Sequence, residues 1–175
     1  MDLKSIIRTI PDYPKPGIMF RDVTTLIEDA AALREATHQL AEPFKTAGIS
    51  KVAGIEARGF IFGVGVALEL SAGFIPLRKP GKLPAETISE SYALEYGEDE
   101  LHMHVGTVAE GERVLLIDDL IATGGTALAG LNLLRRAKAD IVAAAFIVDL
   151  PELGGADKLR KTGVDVTTLL SFDGH

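Results

Sequence analysis

Residues 114–127, VLLIDDLIATGGTA, run four apolar side chains into two adjacent aspartates, Asp118 and Asp119, and then into a Thr-Gly-Gly-Thr turn. A turn of this composition ahead of a helix presents successive backbone N–H groups from Ala122 through Thr123, Gly124 and Gly125 to Thr126, with two hydroxyls beside them. That is a seat for a phosphate monoester. Carboxylates so near a phosphate would repel it if they faced it, and they suit neutral hydroxyls instead, such as the 2- and 3-hydroxyls of a ribose. The stretch therefore reads as a cradle for ribose 5-phosphate. An N-cap beside a solvated acidic pair is the plain alternative, but it gives no reason for TGGT to follow.

Other segments carry weaker chemical signals. GIEARGF at 54–60 follows a strand-like run and opens a helical one, so its N–H groups and Arg58 suit a second anion. Gly54 and Gly59 have Walker A spacing, but Phe60 stands where the lysine belongs, and GVGVAL at 63–68 lacks the third glycine of a dinucleotide fingerprint and reads as close helix packing. Arg78, Lys79 and Lys82 form a local basic cluster, either a solvated face or the counter-charge for an anion. Phe20 follows Gly17 in a Pro-rich loop and is either a core residue or a platform on which a flat ring stacks. Glu95 and Tyr96, in YALEYG, lie in a polar segment where a lone Glu is ordinarily just solvated.

The elements that must position these groups alternate. Helix is predicted at about 29–47, 59–72, 125–138 and 155–162, and strand at about 51–56, 74–78, 114–118, 141–148 and 165–170. Strands separated by single helices make an α/β domain with a mainly parallel, twisted sheet flanked by helices. Ligands in such sheets sit beyond the carboxyl ends of the strands, where Asp118, Asp119 and the Gly turn are expected. Two segments stand outside the alternation: PDYPKPGIMFRD at 11–22, and residues 79–105, which are too long for a plain connection and show weak period-2 alternation near their end. The second reads as a mobile hairpin or lid.

Composition narrows the classes. The chain has 175 residues, 47% hydrophobic and 25% charged, as expected for one globular domain with a sizeable core. Zero cysteines and four scattered histidines exclude a disulfide framework, thiolate metal sites and HExxH-type zinc chemistry. A formal charge of −7 argues against nucleic acid as a partner, and any anionic ligand is held locally. The longest apolar run, IVAAAFIV, is too short to span a bilayer, and MDLKSIIRTI lacks the order of a signal peptide, so a soluble cytoplasmic protein with no membrane association is expected.

The stretch 114–127 resembles the phosphoribosyl diphosphate (PRPP) binding motif of the type I phosphoribosyltransferase family. PDYPKPGIMFRDVTTL (11–26), GIEARGFIFG (54–63), RKPGKLPAETISESYALEYG (78–97) and DLPELGG (149–155) are similar, in the same order, to segments of its adenine-using members, so the likeness covers nearly the whole chain. It implies that family's fold, as one domain over 1–175 with a small hood at about 1–28 and a flexible catalytic loop at about 79–105. It implies formation of AMP and diphosphate from adenine and PRPP in purine salvage, with Mg²⁺ as cofactor and a homodimer as the assembly.

The resemblance also implies site residues. Ribose and 5-phosphate fall to Asp118, Asp119 and Ala122–Thr126, and the diphosphate to Glu56, Ala57, Arg58, Arg78 and Lys79, with Lys82 less directly. Adenine lies between Phe20 and Leu150, read by the backbone around Met19 and Arg21. Glu95, on the loop beside Tyr96, becomes the acid/base at adenine N7, and Asp118, Asp119 and Arg58 join it in stabilising charge during the reaction. Magnesium is implied to be held mainly by PRPP and water. The Glu56–Ala57 peptide is implied to be cis, and Ala57 replaces a serine found in some members. A PRPP-sensing regulator would need a nucleic-acid-binding module or a basic face; a transferase for another base would not carry PGIMFRD and YALEYG.

Overall fold

Val114, Leu115, Leu116 and Ile117 are all fully buried, as befits a strand covered on both faces. A computed structural model describes residues 1–94 and 96–174. In it this run belongs to the middle strand of a five-stranded parallel sheet, ordered β4-β3-β7-β8-β9. The strands are β3 (Lys51–Ile55), β4 (Gly73–Leu77), β7 (Arg113–Ile121), β8 (Asp140–Asp149) and β9 (Val166–Ser171). The predicted α/β alternation is present.

Helices cover both faces. On one side α3 (Ala30–Ala41) and α4 (Arg58–Glu69) bury Ala36, Leu40, Phe62 and Val66 against Leu115 and Ile117. On the other, α5 (Gly125–Arg136) and α6 (Gly155–Arg160) bury Leu131, Leu134 and Leu159 against Val114, Leu116 and Phe146. Asp29 caps α3 by accepting from Ala32 N at 2.9 Å. The GVGVAL glycines let α4 sit close: a Cβ on Gly63 would lie 2.6 Å from the Phe74 ring, and one on Gly65 would lie 2.7 Å from Thr37. Close packing is thus the role of that glycine pattern.

Two expectations change, and the hairpin expected after them is present. The helix predicted over 29–47 ends at Ala41 and gives way to a 3-10 turn at Glu42–Phe44, because Pro43 has no N–H to continue the ladder. Asp118 and Asp119 are not at the end of their strand. β7 runs on to Ile121, because Leu120 and Ile121 still pair with Val148 and Asp149 of β8. Residues 79–105 contain an antiparallel hairpin, β5 (Thr87–Ala93) with β6 (Glu98–His104), whose Tyr92, Leu101 and Met103 share a core with α5. The alternation seen near the end of that segment is its buried face.

The N-terminal segment folds as α1 (Leu3–Ile6), an antiparallel pair β1 (Arg8–Pro11) and β2 (Met19–Asp22), and α2 (Thr24–Ile27). Leu3, Ile7, Val23 and Leu26 join the α3/α4 core, which seats the pair on the body. Asp22 ties it together: it accepts from Arg8 at 2.5 and 3.0 Å, from Thr24 N at 3.0 Å and from the Thr24 hydroxyl. The Thr24 hydroxyl and Arg8 hold its pKa down to about 2. Because the folded value lies below the unfolded one of about 4, this stabilisation is complete above about pH 4 and fades as pH falls toward 2. Asp22→Asn should cost about 1–3 kcal/mol at pH 7. Thermal unfolding should show its midpoint lower by a few degrees and flatter than the parent's between pH 4 and 2; equal slopes would contradict the assignment.

Candidate functional site

Where β7 leaves the sheet, the chain turns through Ala122, Thr123 and Gly124 and starts α5 at Gly125. Gly124, at φ 87°, occupies a left-handed conformation that a side chain would strain. The turn also lies against the start of α6. Gly155 N donates to Ala122 O at 3.0 Å. A Cβ on Gly155 would lie 2.5 Å from that oxygen and 2.7 Å from Gly124 N. Only glycine allows this backbone contact, so DLPELGG supports the TGGT loop. The first N–H groups of α5 have no acceptor within the helix, which leaves them to a ligand.

Asp118 and Asp119 lie just before this turn, inside the strand. Asp119 is buried, and its Oδ2 accepts from Arg58 Nε, at the start of α4, at 2.5 Å. Asp118 Oδ1 accepts from Asp119 N at 2.8 Å and lies so close to α4 that a Cβ on Gly59 would be 2.8 Å from it. Asp118 retains some exposed surface, yet its carboxyl is deep among protein atoms. Burial, followed by the neighbouring Asp119 charge, pushes its pKa well above the usual carboxylate range. Burial disfavours the Arg58 cation, but Asp119, with Asp118 and Asp22 behind it, outweighs this and raises its pKa.

The hood closes the other side. A single pocket of about 410 Å³ is lined by Met19, Phe20 and Arg21 from β2, Leu150 and Leu153 after β8, Arg58, both aspartates and the whole turn from Ala122 to Thr126. Phe20 stands edge-on to Tyr13, with ring centroids 5.1 Å apart. Leu150 is nearly buried, with its N–H donating to Ile121 O at 3.0 Å. The Arg21 guanidinium is tied to Thr9 Oγ1 at 2.7 Å, to Asp173 O at 3.3 Å and to the Phe172 ring at 4.4 Å.

The remaining candidates stand apart from this lining. The Glu56–Ala57 peptide is cis, as the family likeness implies. Glu56 Oε1 accepts from Lys79 N at 2.8 Å and from Arg78 Nε at 3.2 Å. Lys79 Nζ donates to Tyr92 Oη and Asp99 Oδ2, each at 2.5 Å. Lys82 is exposed, and its carbonyl accepts from Arg78 at 3.5 Å. Tyr96 is 86% exposed, and Glu95 lies outside the described residues. Sequence reasoning missed Tyr92 and Asp99, which face each other across the hairpin. Its weak period-2 pattern was their only signal.

The family model described as a phosphoribosyl transferase domain matches residues 23–171. The adenine phosphoribosyltransferase of Nitrobacter winogradskyi is 62% identical over 174 residues, covering 99% of this chain and 97% of the relative. Among solved structures, adenine phosphoribosyltransferase from Thermoanaerobacter pseudethanolicus superposes with a TM-score of 0.92 at 44% identity, covering 98% of each chain. The Saccharomyces cerevisiae enzyme, complexed with an imino-altritol bisphosphate and adenine, gives 0.89 at 36% identity over 97% of each chain.

Gly155→Ala tests the supported turn. Neither backbone in that contact has room to move, so the change should cost about 1–3 kcal/mol. It should also weaken binding of a phosphate monoester at least about tenfold. Calorimetry showing parent-like phosphate affinity would contradict the arrangement.

Proposed function

The chain belongs to the adenine phosphoribosyltransferase family, and from that premise we propose how its own residues carry the reaction. It transfers the 5-phosphoribosyl group of PRPP to N9 of adenine, giving AMP and diphosphate. The observation that carries the assignment of residues is the single pocket in which the TGGT turn, Asp118 and Asp119, and the Phe20–Leu150 pair converge.

The N–H groups from Ala122 to Thr126 and the Thr123 and Thr126 hydroxyls hold the 5-phosphate. Asp118 and Asp119 accept from the ribose hydroxyls, and adenine lies between Phe20 and Leu150 with its edge against the Met19 and Arg21 backbone. N9 attacks the anomeric carbon as the bond to diphosphate breaks, and positive charge grows on the sugar in an oxocarbenium-like transition state. The two aspartates stabilise that charge. Arg58, Arg78 and Lys79, with Lys82 at the edge and the Glu56–Ala57 backbone beneath, receive the negative charge of the leaving group. Glu95 takes the N7 proton as N9 attacks, and Tyr96 orders the loop around it.

Magnesium fits this donor set. Asp118 and Asp119 supply hard oxygens, and no cluster of three or more His, Asp or Glu among the described residues forms a cage. We therefore assign most of its ligands to PRPP oxygens and water, with the aspartates holding the ribose hydroxyls beside it. When bound, the ion offsets diphosphate charge. A homodimer is supported by Ile61, Val64 and Leu68, which expose an apolar stripe on one face of α4, 75% of Leu68 being accessible; a solution mass of one chain would remove it. A cytoplasmic setting suits a substrate too highly charged to cross lipid. Among the described residues no helix is long and apolar enough to cross a membrane.

With PRPP and Mg²⁺, steady-state assay of a panel of bases should give AMP from adenine and strong discrimination against hypoxanthine. Hypoxanthine carries an oxo group where the site meets an amino donor, and it would leave buried groups unpaired. Equal turnover of the two would overturn the specificity. Glu95→Gln should lower kcat by about 10²–10⁴ in both directions with PRPP binding nearly intact. Single-turnover chemistry within about threefold of the parent would remove Glu95 from the mechanism.

A further inference from the structure

Three cations assigned to the diphosphate are each already paired with a carboxylate. Arg58 meets Asp119 at 2.5 Å, Arg78 meets Glu56 at 3.2 Å and Lys79 meets Asp99 at 2.5 Å. Asp119 and Glu56 belong to the site already described. Asp99 does not: it lies on β6, opposite Tyr92 of β5 in the hairpin register.

We propose that Asp99 is a positioning residue that, with Tyr92, holds the Lys79 ammonium on the hairpin as an internal stand-in for the diphosphate. Diphosphate then displaces Asp99 and takes over the Lys79 ammonium. The proposal rests on the reading above that Lys79 contacts diphosphate.

Several observations converge on the exchange. Lys79 Nζ donates to both Asp99 Oδ2 and Tyr92 Oη at 2.5 Å and lies 5.2 Å from the centre of the Tyr92 ring, so the ammonium is turned toward the hairpin. It is absent from the lining of the nucleotide pocket. The pair is only partly shielded, with side chains 36% and 29% accessible, so breaking it is cheap beside the gain from a more highly charged anion. The hairpin does not depend on the pair for its fold. Leu101 and Met103 are buried, Arg136 donates to Ser89 O at 2.6 Å, and Arg78 and His102 exchange backbone hydrogen bonds at the hairpin base. Tyr92 is itself buried in the core shared with α5 and pairs with Asp99 in the hairpin register, so the hairpin stays in place when Lys79 leaves.

The test is calorimetric titration of the full chain with inorganic diphosphate, paired with steady-state kinetics in PRPP. Asp99→Asn removes the competing charge at nearly constant shape. It should tighten diphosphate binding about threefold to fivefold and lower KM for PRPP in the same proportion. Asp99→Ser should move in the same direction, which guards against a folding defect peculiar to one substitution. Unchanged or weaker diphosphate binding in both variants would overturn the proposal. Lys79→Met separates the two layers: if it keeps full diphosphate affinity, the contact assigned to Lys79 fails, whatever Asp99 does.

Discussion

Two neighbouring carboxylates inside the central strand of a sheet repel each other and lose hydration, and the site follows from how the fold accommodates them. Asp119 is matched by Arg58 at 2.5 Å, while Asp118 keeps its proton to a higher pH because it is buried beside that charge. This pairing requires the start of α4 to lie directly over the strand. Gly59 permits it, since any side chain there would meet Asp118. Both acids line the pocket, and in the proposed function ribose hydroxyls supply the donors that water would otherwise give.

The same economy of backbone contact builds the phosphate end. The turn 122–124 needs one left-handed glycine of its own and a second glycine, Gly155, from a different helix start. Leu150 is carried by the same connection from β8, so the turn proposed to hold the phosphate and one proposed wall of the base site are mechanically joined. The opposite wall, Phe20, comes from the hood. Asp22, two residues on, binds the hood's strands together close enough to Arg58 for its charge to be felt there. The proposed base, sugar and phosphate subsites thus meet through short, glycine-rich or ion-paired junctions.

Much of this was legible in the sequence because the signals were local. The apolar run into Asp118 and Asp119, the TGGT turn and the alternation of strands with helices each depend on neighbours in the chain. The resemblance to phosphoribosyltransferases then joined distant segments, and Met19, Phe20, Arg21, Leu150 and the turn do line one pocket. What escaped depended on pairing between distant residues. Continuation of β7 to Ile121 is set by its register with β8, and the grip of Asp99 on Lys79 by the register of a hairpin whose alternation is faint. Gly155 sat in a quoted motif, but its purpose appears only when Ala122 is seen against it.

The central claim is that one pocket receives a whole nucleoside monophosphate, with phosphate on the β7–α5 turn and base against the hood. Backbone amide chemical shifts during a titration with AMP test it most directly. The account predicts that Thr123, Gly124, Gly125 and Thr126 shift together with Met19, Phe20 and Arg21, all with one dissociation constant. Separate midpoints for the two groups, or the largest shifts elsewhere in the chain, would contradict it.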